Sequence, residues 1–534
     1  MYILAYDIGT TGVKTCVFRI GETIELLAGA SGGYPLYVLP GGGAEQDPDD
    51  WWSALRETTG KALVEAGVAP ARIEGISFCS QMQGLVLVDK DGMPLRRAMS
   101  YMDQRAVAEH KAGIAFGLQV AGANVVRLLK SLKATGAAAL SVKDPVWKYK
   151  WVEANEPEIF AKVHKWLDVK EAVIARMTGR CVMTQDSAFA ALLYDIHKRC
   201  WSKSVADMLG VKMEHLPEIV PCEAEVGKLR AKQAEELGLV PGIPVFGGGG
   251  DASLVGVGAG AVALGDTHVY CGTSGWVSTV VDKSMVDAGA NIAAIVGAQE
   301  GLYNYFAEQE TAGKCLEWVK DHLALDEINI YLSQELGLKR RTADMEAVYT
   351  NLYDYLMAVI AEAPIGAGGV LFTPWLHGNR CPFEDPNARG MFFGLSLDTG
   401  KTEMIRAVVE GVVYHLRWML ETQEKKTPTS KTIRFVGGGA LSGVMCQMLA
   451  DCTGRTVEAV ASPQNVGSVG AAAVAAVGRG IIPSLQDVKR LIPAVKAYAP
   501  DEANKRAYDR YFENYKQLYA SNKKLFKAMQ GAAL

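Results

Sequence analysis

The sequence predicts an α/β protein of two domains whose functional residues sit where strands end. Three observations lead there. The chain has 534 residues, well past the roughly 250–300 at which one hydrophobic core stops growing. A strand, turn and strand with the turn Asp7-Ile-Gly-Thr-Thr-Gly12 is repeated in outline in the second half, around Cys271-Gly-Thr-Ser-Gly275. Between them a short apolar strand at 243–246 runs into glycines 247–250 and Asp251, which marks the end of a first domain. The expected domains are residues 1–258 and 259–534.

The elements follow in order. Residues 2–6 and 13–18 are apolar runs of β formers around a polar turn. Asp47 and Pro48 supply an N-cap acid and a first-turn proline to a helix running to about residue 67. Strands are expected at 73–79 and 85–88, and helices at 157–163 and 169–177. The stretch 112–140, rich in Ala, Gly, Leu and Lys, reads as helical and carries no chemical motif. The second half opens with a strand at 267–270. Later, a strand at 433–436 and a helix at 441–453 flank Gly437-Gly438-Gly439-Ala440. Asn465-Val-Gly467-Ser-Val-Gly470-Ala-Ala-Ala473 reads as a closely packed helix. In the tail Tyr508, Tyr511, Phe512, Tyr515, Leu518 and Tyr519 recur at spacings of three and four, an apolar stripe that packs on the body.

Composition narrows the function. A hydrophobic fraction of 49% with 21% charged residues describes a globular chain with ample core. A formal net charge of −4 offers no footprint for nucleic acid or an anionic membrane, so the expected partner is a small molecule. Ten cysteines without a CxxC pair and eight histidines without HxxxH or HExxH give no zinc spacing and read as reduced thiols. The start, Met1-Tyr-Ile-Leu-Ala-Tyr-Asp7, lacks the basic leader of a signal peptide, and no apolar stretch reaches the roughly 20 residues that span a bilayer. A cytoplasmic protein is expected. A homodimer is compatible with the sequence, which does not fix the oligomeric state.

Phosphate chains need many backbone N–H donors close together, and glycines with small hydroxyl residues provide them. Both turns, Gly9-Thr10-Thr11-Gly12 and Gly272-Thr273-Ser274-Gly275, qualify, although each also suits a simple hairpin. Asp7 at the head of the first adds an acid able to hold Mg²⁺ against phosphates. The near match to a phosphate loop at Gly394-Leu-Ser-Leu-Asp-Thr-Gly400-Lys401-Thr402 has five residues in a gap that requires four, and is set aside. Asp251, at a strand end backed by glycines, suits a base that removes a proton from a hydroxyl, and equally a helix N-cap. Gly437 to Ala440 suits a flat base or a tight turn.

In order and spacing these pieces resemble the FGGY carbohydrate kinases, from Tyr2 to about residue 483, and are most similar to xylulokinase-like members. The most specific stretch is Gly390-Met-Phe-Phe-Gly394-Leu395, followed after seven residues by Glu403-Met404-Ile-Arg-Ala407-Val408-Val409-Glu410. Gln46-Asp47-Pro48 with Trp51-Trp52, Asp103-Gln104-Arg105, Trp151 with Asn155-Glu156-Pro157, Thr178-Gly179 and Asp385-Pro386-Asn387-Ala388-Arg389-Gly390 also match, while Lys148-Tyr-Lys-Trp151 matches in part.

The resemblance implies two actin-like (ribonuclease H-like) ATPase domains with the active site in the cleft between them. It implies ATP and Mg²⁺ as cofactors. Asp7 would organise the metal. Gly9, Thr10, Thr11, Gly12, Gly272, Thr273 and Ser274 would hold the phosphates, with Gly437, Gly438, Gly439 and Ala440 beside the adenosine. Lys14 stands where the family often has a basic residue, and also suits an exposed strand. Asp251 would be the catalytic base, with Gln81, Met82, Gln83, Asp103 and Ala252 facing the sugar. Where xylulokinases typically read Gln-Met-His-Gly, this chain reads Gln81-Met82-Gln83-Gly84, and His377-Gly378-Asn379-Arg380-Cys381-Pro382 departs from Ser-Gly-Glu-Arg-Thr-Pro. Glutamine donates and accepts but carries no charge. A ketopentose such as D-xylulose is the expected substrate. Ribulose, fuculose, erythritol, glycerol or gluconate remain alternatives, as does a non-kinase ATPase on the same scaffold.

Overall fold

The computed structural model describes residues 1–324, 356–358 and 360–531. The chain opens with strands β1 (Tyr2–Ile8), β2 (Gly12–Ile20) and β3 (Ile24–Gly33), paired antiparallel in sequence order. Helix α1 (Pro48–Ala66) begins where the acid and proline put it: the Asp47 carboxylate accepts the Asp49 N–H at 3.1 Å. Its buried Trp51 and Trp52 belong to the same core as Tyr6 and Val17. Strand β4 (Ile73–Ser80) then lies parallel to β1 on the side away from β2. Beyond it come β5 (Glu225–Lys228) and β6 (Pro244–Phe246), and the sheet order is β5-β6-β4-β1-β2-β3. The two residues β7 (Gly249–Gly250) pair with the end of β4 and lead without a break into helix α2 (Asp251–Gly258).

The second half repeats this plan. Strand β8 (Thr267–Cys271) turns into β9 (Gly275–Val281), and β10 (Val286–Asp287), β11 (Ile292–Val296) and β12 (Tyr303–Gln309) extend that side. The second part of the signature stretch lies in α3 (Lys401–Glu424), followed by β13 (Thr432–Val436), α4 (Gly443–Thr453), β14 (Thr456–Val460), α5 (Val466–Gly478), β15 (Ala494–Tyr498) and α6 (Glu502–Gly531). The order is β10-β11-β12-β9-β8-β13-β14-β15, with β8 antiparallel to β9 and parallel to β13. Each central strand, β1 or β8, therefore has a hairpin partner on one edge and a parallel strand on the other. The turn repeat seen in the sequence is a repeat of topology.

Helices α2 and α5 join the halves. One core contains Ile3, Ala5, Cys16 and Phe18 of the first sheet, Leu254 and Val257 of α2, Val469 and Val474 of α5, and Val436 and Val460 of the second sheet. The helices touch backbone to backbone. A methyl group on Gly258 would overlap the Val466 carbonyl oxygen, and one on Gly470 would overlap the Leu254 carbonyl oxygen. The reading of 465–473 as a closely packed helix thus holds.

Two sequence readings need correction. Of residues 112–140 only Val125–Thr135 forms a long helix, after the short helix Val107–Gly113 and a hairpin that pairs Gln119–Val120 with Ala123–Asn124. Gly117 and Gly122 take φ of 63° and 77°, which breaks the expected run. The helix from Pro157 stops at Phe160. The tail packs as expected: Tyr508, Phe512, Tyr515 and Leu518 are buried in the second core. Among the described residues no helix is long and apolar enough to cross a membrane.

Because the α2–α5 crossing has no room for a side chain, Gly258→Ala is expected to cost about 3 kcal/mol, the upper end for overpacking. Chemical denaturation would read this against Gly21→Ala, where nothing lies within 4 Å of the added methyl. Equal midpoints for the two variants would contradict the packing.

Candidate active site between the two sheets

The two turns singled out in the sequence close the β1–β2 and β8–β9 hairpins, and each has its carbonyl oxygens consumed from within. In the first, the Tyr34 hydroxyl donates to the Gly9 carbonyl at 2.5 Å and to that of Gly12 at 3.0 Å. The Gln46 amide donates to the Thr10 carbonyl at 2.5 Å, and the Tyr34 N–H to that of Thr11 at 3.0 Å. In the second, the Gly272 carbonyl accepts the Gly313 N–H, that of Thr273 accepts the Ala312 and Lys314 N–H groups, and that of Ser274 accepts the Gly272 N–H. With every carbonyl engaged, the amides of Thr10, Thr11, Thr273 and Ser274 have no acceptor among the described residues. Backbone donors left unpaired in this way are the chemistry that binds a phosphate chain.

Gly437 to Ala440 lies beside the second turn. It follows β13 and forms a tight turn, with the Gly437 N–H donating to the Pro463 carbonyl at 2.8 Å and a Cβ on Gly439 falling 2.9 Å from that of Cys271. The Ser442 hydroxyl then caps α4 by accepting the Met445 N–H at 3.2 Å. Lys14 is directly across the ladder from Asp7, and its Nζ donates to the Gln464 carbonyl at 2.9 Å, tying the first sheet to the approach to α5.

Asp251 is the first residue of α2, and Gly250 takes the N-cap position. The helix cap that the sequence offered as one reading of Asp251 falls to Gly250. Oδ1 of Asp251 accepts the Ala252 N–H at 2.8 Å, and Oδ2 has no protein partner among the described residues. Burial pushes this carboxyl up to about 7; the Ala252 N–H opposes the rise, and the charges of Asp7, Glu308 and Asp186 add to it. Asp7, near the end of β1, is also raised by burial, against the pull of Lys14 and a hydrogen bond from Cys79. A Cβ on Gly467 would lie 3.0 Å from Asp7 Oδ2, so α5 begins against this acid. Among the described residues no group of three or more His, Cys, Asp or Glu side chains could cage a metal. A single carboxylate beside amide-lined loops suits a Mg²⁺ ion that takes its other ligands from phosphates and water.

The 81–84 turn adjoins Asp251, since a methyl on Gly250 would overlap the Met82 side chain. Gln81 braces the first loop: its Nε2 donates to the Gly9 carbonyl and to Gln46 Oε1, both at 2.9 Å, while its buried Oε1 has no partner among the described residues. The half-buried Gln83 has φ 63°, and its carboxamide makes no hydrogen bond to protein among the described residues. Asp103 is fully buried, accepts the Ala44 N–H at 2.9 Å and pairs with Arg105 at 2.7 Å. The Ala252 carbonyl accepts from Asn304 of β12 at 3.2 Å, across to the second sheet.

Sequence reasoning missed the acids behind Asp251. Asp186 Oδ2 accepts the Gly250 N–H at 2.7 Å, and its Oδ1 accepts from Thr184 at 2.5 Å. Glu308 on β12 pairs with Arg380 at 2.7 Å. Neither acid stands in a local pattern that distinguishes it; both reach the site through the fold.

Two α/β halves of like topology, meeting over paired amide-lined turns and a raised acid, define the actin-like class of nucleotide-binding folds. Models for the N-terminal and C-terminal domains of the FGGY family of carbohydrate kinases match residues 2–258 and 268–479, and the chain belongs to that family. It is 28% identical over 531 residues to the xylulose kinase of Bacillus subtilis (strain 168), covering 99% of both chains. It is also 28% identical over 510 residues to a gluconokinase of Bacillus licheniformis, covering 95% of this chain and 93% of that one. Its fold superposes on the structure of ligand-bound xylulose kinase from Lactobacillus acidophilus with a TM-score of 0.82, at 24% identity and 99% coverage of each chain. The chain is thus a carbohydrate kinase.

The raised Asp251 carboxyl carries a stability signature. Its folded value of about 7 exceeds the unfolded value of 3.8. Stability from the protonated form is complete below the unfolded value and lost as pH rises through the folded one. Asp251→Asn, neutral at every pH, is therefore expected to raise Tm at pH 8 and leave it unchanged at pH 3.5 in thermal scans.

Proposed function

We propose that this kinase phosphorylates a terminal hydroxyl of a ketopentose, D-xylulose foremost, with Asp251 as the base. The observation that carries the reading is Asp251 itself, a buried carboxylate that adjoins the 81–84 turn with one oxygen unpaired among the described residues, and which burial raises to about 7. At neutral pH a large share of it is ionised and able to take a proton from a hydroxyl held at Oδ2. When bound, ATP supplies the phosphoryl group and Mg²⁺ offsets the phosphate charge. The amides of Thr10, Thr11, Thr273 and Ser274 would hold the phosphates, Asp7 the metal, and the Gly437 to Ala440 turn the adenosine side. The Gln83 carboxamide, unbonded among the described residues, would offer a donor and an acceptor to the sugar.

Full-length similarity to xylulose kinases supports the ketopentose, while a gluconokinase is matched at the same 28% identity over 95% of the chain. Charge favours the neutral sugar. An aldonate would add a carboxylate to a site where the charges of Asp7, Glu308 and Asp186 already raise the Asp251 carboxyl.

An ADP-release assay over ketopentoses, hexuloses, aldonates and polyols is expected to show the highest kcat/KM for a ketopentose. A preference for gluconate, or ADP release indifferent to any sugar, would reject the reading. In the same assay Asp251→Asn should lower kcat about 10²- to 10⁴-fold, the usual range for a general base.

Asp7→Ala is expected to raise the Mg²⁺ concentration needed for half-maximal rate about tenfold or more, since the ion loses its one protein carboxylate. Titrating Mg²⁺ at fixed ATP measures this, and an unchanged midpoint would remove Asp7 from that role.

A further inference from the structure

The 81–84 turn is held by a buried lysine and a buried aspartate that no step above uses. Lys148, on the helix Pro145–Asn155, is fully buried, and its Nζ donates to the Gln83 carbonyl at 2.7 Å. Asp168, at the start of the helix Val169–Thr178, accepts the Gln83 N–H on Oδ2 at 2.8 Å. Its Oδ1 accepts the Gly84 N–H at 2.9 Å and the Val169 N–H at 2.8 Å. Both peptide groups of Gln83 are therefore pinned by opposite charges, in a left-handed conformation that a side chain rarely adopts unaided. Gly84 completes the fit, because a Cβ there would lie 2.8 Å from Asp168 Oδ1.

This use of a buried ammonium is not that of a stability device. Burying a charge is costly unless it is paired. Lys170, equally buried, shows the ordinary solution: it pairs with Glu171 and bonds the hydroxyls of Thr184 and Ser187. Lys148 makes no ion pair among the described residues and gives its one hydrogen bond to a carbonyl. Asp168, Asp103 and Asp144 sustain its charge from a distance, and burial still draws it down to about 8. What the arrangement secures is the backbone of one residue, whose carboxamide makes no hydrogen bond among the described residues.

We propose that Lys148 and Asp168 are positioning residues for sugar selection, clamping the Gln83 peptide so that its carboxamide is presented to the substrate in one orientation. This rests on the reading that Gln83 contacts the sugar.

The test measures kcat and KM for the preferred ketopentose, and KM for ATP, in Lys148→Met, Asp168→Asn, Gln83→Ala and the two double variants with Gln83→Ala. Each clamp variant is expected to raise the sugar KM about tenfold or more, the scale of a small misplacement, with the ATP KM unmoved. In the Gln83→Ala background neither should raise it further. Asp168→Asn is nearly isosteric and carries the test should Lys148→Met not fold. Additive effects in the double variants, or an unchanged sugar KM in folded single variants, would overturn the clamp. An unchanged sugar KM in Gln83→Ala alone would overturn the sugar contact and the clamp with it, separating the two failures.

Discussion

The crossing of α2 and α5 is the constraint on which the site depends. Their axes approach so closely that glycine is required at 258 and at 470. That closeness lets a single core run from β1 and β4, through both helices, to β13 and β14. It also sets two helix starts where chemistry is needed. Asp251 stands at the head of α2, and the first turn of α5 abuts Asp7. A wider crossing would part the two acids and the two hairpin turns together. Tight packing here fixes positions, since close-packed interiors transmit small displacements rather than absorb them.

Given that frame, the site is built by removing alternatives. The carbonyls of each glycine-rich turn are occupied, by Tyr34, Gln46 and the turn's own Gly9 N–H in one and by the 312–314 segment and the turn's own Gly272 N–H in the other. What remains exposed is donors. Asp251 is treated in a parallel way, because Gly250 takes over the N-cap position and Asp186 takes the Gly250 N–H. With one oxygen on the Ala252 N–H, Asp251 is raised to about 7 by burial, to which the charges of Asp7, Glu308 and Asp186 add.

Much of this was legible in the sequence, and the limits have physical causes. The hairpin turns, the Asp47 cap, the strand leading into Asp251 and the packed helix at 465–473 are local patterns of two to ten residues, which is the range over which propensity and periodicity act. The signature at 390–410 identified the family, yet the structure gives it a task in the core: Arg406 pairs with Glu410 and holds the Ile360 and Ala363 carbonyls, and Tyr508 of the tail bonds Arg406. The stretch at 112–140 misled because its composition favours helix while Gly117 and Gly122 turn the chain. Asp186, Glu308 and Asp168 were invisible because each works across at least 57 positions of sequence, on Gly250, Asp251 or Gly84.

Glutamine at position 83 fits this scheme. The field around the turn is set by Lys148, Asp168, Asp103 and Asp144, all buried and none belonging to the turn itself. A titrating imidazole there would add a charge that changes near neutral pH to this buried cluster. A carboxamide keeps a donor and an acceptor without adding a charge. The clamp holds only backbone atoms of residue 83, so it would present either side chain alike. Recognition can therefore diverge at this one side chain while the backbone that presents it, and the acid beside it, stay fixed.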